Sequence, residues 1–164
     1  MSLRSYCSYL SHASVAIYLA GRFLPRKWIF EKAFPFKCFG FEKEGKLYEK
    51  LRVHQWKTKV PDASVVMHRL FPKWIPKKRI DGDFRNQIPI LIKETCVAEA
   101  THFAAILSGF ACIPLWNGIG GHLMAWLFAL LNLPFILIQR YNRPRLLRIF
   151  HRIHYQKEKA PSLK

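Results

Sequence analysis

From Phe103 to Gln139 the chain runs 37 residues without an aspartate, glutamate, lysine or arginine, and this run governs what the rest can be. As one α-helix it would be roughly 55 Å long at about 1.5 Å per residue. That is nearly twice the roughly 30 Å hydrocarbon core of a bilayer. The sequence Asn117-Gly118-Ile119-Gly120-Gly121 supplies a break near its middle, so the run reads as two spans folded into a hairpin. Glu94, Glu99 and His102 stand just before it, and Arg140-Tyr141-Asn142-Arg143-Pro144-Arg145 just after. Both ionisable ends of a hairpin emerge on the same side of a membrane, which is where chemistry on a lipid-like substrate is expected.

Charge supports a membrane setting. The 164 residues carry 27 Lys+Arg against 10 Asp+Glu, an excess that in a soluble protein would point to nucleic acid. Here 18 of the basic residues lie between Arg22 and Lys93 and 8 follow Gln139, with none in the glycine break. Cationic segments flanking apolar spans are the pattern of cytoplasmic loops, and they also hold anionic lipid headgroups. A soluble nucleic-acid binder has no place for the uncharged run. Cys7, Cys38, Cys96 and Cys112 form no CxxC pair and no metal-ligand spacing, which argues against a disulfide framework or a zinc site.

Ser5 to Gly21 lacks formal charge and reads either as a span or as the apolar part of a signal peptide. Export of the chain beyond Gly21 would place the basic region outside, against the charge rule, so a retained span is expected. Between Trp28 and Phe41 aromatic residues alternate with lysines, a composition that suits the headgroup layer. Ile88 to Trp116 reads as one long helix opening near Pro89, His122 to Gln139 as the returning span, and Arg140 onward as a basic tail with a disordered end. The expected fold is a mainly α membrane protein with about three transmembrane helices, near 5–24, 100–116 and 121–139. A basic cytoplasmic or interfacial region at 25–93 lies between the first and second, a basic tail at 140–164 follows the last, and the whole of 1–164 is one integral membrane domain.

Glu99 and His102 are three apart and share a helix face, with Glu94 about two turns earlier on the same broad side. A carboxylate beside an imidazole orients a general base and stabilises the imidazolium it becomes. The plainer alternative is a helix-end ion pair of the glutamates with Lys93 or an arginine. A single Glu-x-x-His does not make a di-iron bundle, which needs two such motifs and further carboxylates, and no HExxH zinc motif occurs. No metal and no bound cofactor are therefore expected. The arginines Arg140, Arg143 and Arg145 suit bidentate binding of phosphate, although plain anchoring at the cytoplasmic face would need only their charge. Trp56-Lys57-Thr58-Lys59 with Asp62 is a weaker basic and aromatic strip that ends in a carboxylate.

Four blocks carry a family resemblance: Phe41-Glu42-Lys43 with Gly45-Lys46; Trp56-Lys57 with Lys59 and Asp62; Glu94-Thr95 with Ala98, Glu99 and His102; and Arg140 to Leu146. In order and spacing, over roughly Phe41 to Leu147, the chain resembles the glycosyl-4,4'-diaponeurosporenoate acyltransferases. These are small membrane enzymes that place a fatty acyl chain on a carotenoid glycoside. Val65 to Arg85 and the first span depart from that pattern.

The resemblance implies acyl transfer at the cell membrane, and the charge distribution adds that the protein is multi-pass, with its basic regions and C-terminus cytoplasmic. Its partners would be an acyl thioester (coenzyme A or carrier protein), a lipid-like glycosylated acceptor and membrane lipids, with no nucleic acid. The residue roles rest on chemistry. His102 takes the proton of a sugar hydroxyl, Glu99 orients it, and Glu94 and Asp62 are reserve carboxylates. Arg140, Tyr141, Asn142, Arg143 and Arg145, with Trp56, Lys57 and Lys59, bind substrate. The competing reading is a non-catalytic membrane protein that docks anionic lipid or a pathway partner through its basic face.

Overall fold

The computed structural model describes residues 3–60, 69, 84–116 and 118–159. Among them the regular structure is helical. Helix α1 spans Leu3–Phe23. A connecting segment of short turns follows, with 3₁₀ turns at Arg26–Trp28, Gly40–Gly45 and Lys57–Lys59. Two brief helices lie within it, α2 at Lys46–Lys50 and α3 at Val53–Trp56. Helix α4 spans Phe84–Ala111 and, after a 3₁₀ turn at Ile113–Leu115, α5 spans Ile119–Lys159.

The expected hairpin is α4 and α5. Gly109 lies against Phe128, His102 reaches Asn132, Glu99 reaches Arg140, and Thr95 reaches Arg143. Partners that descend along one helix as they climb the other define an antiparallel pair. The break falls where the glycines predict. A Cβ at Gly121 would stand 2.5 Å from the Trp116 carbonyl oxygen, so only glycine lets the chain turn this tightly. Asn117 itself lies outside the described residues.

Helix α1 runs antiparallel to α4. The Tyr6 hydroxyl donates to the Gly109 carbonyl at 3.0 Å near one end, and at the other Gly21 sits against Val97 and Thr101. Tyr6, Leu10 and Cys112 are buried together, with Trp116, Met124 and Phe128 packed around them.

Three boundaries differ from expectation. Helix α4 already includes Phe84, which puts Pro89 in its second turn, and its α-helical part stops at Ala111. Most informative, the basic tail does not leave the helix at Arg140. The α5 helix continues through Pro144 to Lys159, for 41 residues. At about 1.5 Å per residue it is roughly 60 Å long, twice the membrane core.

Two helices are long and apolar enough to cross a membrane, within Arg85–Leu115 and Ile119–Gln156. Their outward faces suit lipid. Phe103, Leu107, Leu123, Trp126, Leu127, Leu130, Leu131 and Leu133 are exposed large apolar side chains on these two helices. Phe23 at the end of α1, and Trp28, Phe30, Phe34 and Phe41 on the connecting segment, form a second exposed set among lysines.

Candidate active site

Past the apolar stretch, three elements meet around a buried ion cluster. Glu99 on α4 and Glu42 on the connecting segment are both buried carboxylates, and Arg143 on α5 is buried with them. Arg140 Nε donates to Glu99 Oε1 at 2.7 Å, one of its terminal nitrogens donates to Glu42 Oε1 at 2.5 Å, and the other to the Pro35 carbonyl at 2.7 Å. Arg143 donates to the second oxygen of Glu99, to the Phe36 carbonyl at 2.6 Å, and to the hydroxyl and carbonyl of Thr95 at 3.0 and 3.2 Å. The Arg140 and Arg143 guanidinium groups also lie over the rings of Phe39 and Phe36, at 4.9 and 5.6 Å from the centroids.

Glu42 completes the arrangement. It accepts from the Tyr48 hydroxyl and, at 2.8 Å, from the Phe39 backbone N–H. Burial pushes its carboxyl pKa up, but the hydrogen bonds from Tyr48, Arg140 and the Phe39 backbone outweigh that, and its pKa falls below the ordinary value. The Tyr48 hydroxyl is pushed up in turn, by burial and by its bond to Glu42, so it stays a donor. Gly45 holds a left-handed φ of +95° where its Cα faces the Pro144 ring, which lets the connecting segment close against α5.

One proposed pairing is not brought together. Glu99 is bound to the two arginines and does not orient His102. Arg140 and Arg143 donate to protein oxygens, and both also line a cleft beside the cluster. Arg143→Lys is therefore expected to lower thermal stability by about 3 kcal/mol or more, because one ammonium cannot span Thr95, Phe36 and Glu99 together. A thermal melt in detergent checks this; an unchanged melting temperature would show the guanidinium fork to be dispensable.

His102 has a different partner. Its Nδ1 lies 2.9 Å from Asn132 Oδ1, and its ring stacks on Phe135 with centroids 4.5 Å apart and planes 9° from parallel. Asn132 Nδ2 donates to the Phe128 carbonyl at 2.8 Å, so the amide oxygen is the group that faces the imidazole. An acceptor there fixes the proton on Nδ1 and leaves the lone pair on Nε2. That is the tautomer of a general base, set by an amide.

Asn132 does not stand out among the sequence candidates, although it leaves a signal there. It is an amide in the middle of a span otherwise apolar from Leu123 to Ile138, and such residues are costly to keep in a membrane.

The remaining candidates lie apart from His102. Glu94 pairs with Arg26 at 2.6 Å. Lys57 Nζ donates to Asn142 Oδ1 at 3.2 Å and lies over the Tyr141 ring, whose other cationic neighbour is Arg145 at 4.1 Å from the centroid. Arg145 pairs with Glu49 at 3.1 Å on the surface. Trp56 packs with the buried Tyr48, Val53 and Tyr141, while Lys59 is exposed. This lattice ties the connecting segment to α5. Asp62 lies outside the described residues. A cleft of about 260 Å³ opens beside the ion cluster, lined by Phe36, Cys38, Glu42, Arg143, Leu147 and His151 among others. No group of metal-ligating side chains occurs among the described residues.

The family model described as glycosyl-4,4'-diaponeurosporenoate acyltransferase matches residues 25–152, which takes in the connecting segment, α4, and α5 as far as Arg152. The enzymes of that name from Staphylococcus aureus strains N315 and USA300 are each 34% identical over 131 residues, covering 77% of this chain and 74% of theirs. No solved structure matches.

Proposed function

The chain belongs to the glycosyl-4,4'-diaponeurosporenoate acyltransferase family and is an acyltransferase; from that premise we propose that it moves a fatty acyl group from an activated thioester to a sugar hydroxyl of a carotenoid glycoside or related membrane glycolipid. The carrying observation is the His102–Asn132 pair. His102 Nε2 accepts the hydroxyl proton as the sugar oxygen attacks the thioester carbonyl. The carbon–oxygen bond forms, the carbon–sulfur bond breaks, and the leaving thiolate takes the proton back from the imidazolium. Transfer is direct, since His102 is bonded to an amide and not to a serine or cysteine nucleophile. Glu99, Arg140, Arg143 and Glu42 act as the clamp that sets α4 against α5, and so hold His102 opposite Asn132.

The test is acyl transfer by the protein in lipid, from an acyl thioester to a glycosylated carotenoid. The acyl glycoside is the expected product, and its absence with every glycosidic acceptor would overturn the reading. Asn132→Leu removes the acceptor while keeping bulk, so turnover should fall about tenfold to a hundredfold, less than on loss of the base itself. Asn132→Leu protein that turns over normally would leave the imidazole orientation to some other group.

In the bilayer we read α1 as a third span, with the N-terminus outside and the basic segments and C-terminus cytoplasmic. The support is the exposed aromatic collar at Phe23 to Phe41 beside the lysines, at the level of Arg140 and Arg143. Cys38 is exposed at that level and Cys7 near the opposite end of α1. In a Cys7→Ser background a membrane-impermeant maleimide should label Cys38 in inside-out vesicles and not in intact cells. Labelling in intact cells would reverse the orientation.

A further inference from the structure

The part of α5 beyond the ion cluster has no role in the chemistry above, yet it is ordered in a specific way. On the topology proposed above the exposed aromatic segment marks the membrane interface, and because its Pro35 and Phe36 carbonyls bind Arg140 and Arg143 the interface is read at that height on α5. Lys159 is 16 residues past Arg143 on the same helix, about 24 Å further out. The pairings of Thr95 with Arg143 and Glu99 with Arg140 carry the start of α4 alongside this extension.

On the projecting helix Arg145, Arg148, Arg152 and Lys159 recur at intervals of three, four and seven residues. At 100° per residue they fall within about 60° of one another. All four are exposed. The result is a cationic row roughly 21 Å long on one helix face, with Arg145 at its inner end paired to Glu49 at 3.1 Å and Tyr155 beside Lys159 at 4.7 Å.

Anionic headgroups do not account for it. Their pull on a basic side chain fades within a Debye length, about 8 Å at physiological salt, and the outer half of the row lies beyond that. A coenzyme's phosphates account only for the inner end, where Arg148 lines the cleft with Arg140 and Arg143; Arg152 and Lys159 stand further out on the helix surface. A row of this length fits an acidic protein surface.

We infer that the row docks an acidic acyl carrier protein whose pantetheine-linked thioester is the acyl donor, an inference that rests on the thioester reading above. Dimensions agree. His102 lies at the level of Asn132 to Phe135, which is 10 to 13 residues before Arg145, or about 15–20 Å along α5. A pantetheine arm has about thirteen bonds from phosphorus to sulfur and, at about 1.2 Å per bond of extended chain, reaches about 16 Å. A carrier whose arm is rooted at the Arg145 end of the row can therefore deliver its thioester to the imidazole while the outer cations hold its body.

The experiment uses the full-length enzyme in nanodiscs of neutral lipid. Binding of acyl carrier protein is measured by surface plasmon resonance, and acyl transfer is measured from both acyl carrier protein and acyl-coenzyme A. Expected is salt-sensitive binding of the carrier. Arg152→Glu combined with Lys159→Glu should weaken it about tenfold or more, raise KM for the carrier by a similar factor and leave kcat within about twofold. Both residues lie far from His102, and unchanged kcat shows that the variant is folded. Transfer from acyl-coenzyme A with no binding or use of the carrier would overturn the inference while leaving the acyltransferase reading intact. So would equal carrier binding by the variant. Carrier binding with no transfer from either donor would instead overturn the thioester reading and the donor role with it.

Discussion

His102→Ala is expected to cut acyl transfer at least about a hundredfold while the protein still inserts and keeps its fold, because a positioned general base contributes about 10²–10⁴-fold. Asn132 fixes the proton on Nδ1, and Phe135 holds the ring plane, so the lone pair on Nε2 has a set direction. Alanine removes all of that and opens a small space beside Phe135. His102→Gln serves as a control for bulk and should be equally impaired, since an amide accepts a hydrogen bond but takes no proton at neutral pH. Asn132→Leu added to His102→Ala should cost little more, because the amide acts only through the imidazole. Near-normal turnover by purified His102→Ala protein would falsify the assignment and move the search to Asp62 and Glu94.

The second large effect concerns stability. Glu99 is fully buried and accepts from both Arg140 and Arg143. Glu99→Ala leaves two guanidinium groups facing a site from which their shared counter-charge has gone, and removal of one member of a buried ion cluster costs about 3–5 kcal/mol. Against a total stability of about 5–15 kcal/mol, such a change should sharply reduce the amount of folded protein in the membrane. Glu99→Gln keeps the shape but not the charge and should still lose much of this. The readouts are the melting temperature in detergent and kcat per folded molecule. The first should fall and the second should hold. A Glu99→Gln protein with normal stability and poor turnover would return the carboxylate to the chemistry, in line with the spacing of Glu99 and His102.

That spacing shows where sequence reasoning runs out. Two residues three apart on a helix share a face, which places Glu99 and His102 side by side without stating what each one touches. The same geometry makes Glu99 a neighbour of whatever α5 presents opposite it, and α5 presents two arginines. A carboxylate in a buried setting goes to the charges that neutralise it before it goes to an imidazole, because an unpaired buried arginine costs more than an unpaired neutral ring. Glu42 lies within a recognisable block of sequence, yet its role depends on Arg140, 98 residues further on. Tyr48 is silent in the sequence for the same reason: its hydroxyl gains meaning only from Glu42.

The sequence by itself determined the helical hairpin, because a run of 37 uncharged residues with glycines at its middle has few other ways to satisfy its backbone in lipid. It also determined that the ionisable residues gather at the open end of that hairpin, and four blocks of residues pointed to the family. Only the tertiary structure decided which carboxylate meets which arginine and that an asparagine is the partner of His102. It alone showed that the basic tail is a continuation of α5. The physical reason is common to all three. Charge and hydropathy are properties of single residues and survive in any fold, whereas a hydrogen-bond partner is set by the register of two helices and the path of the segment that closes over them.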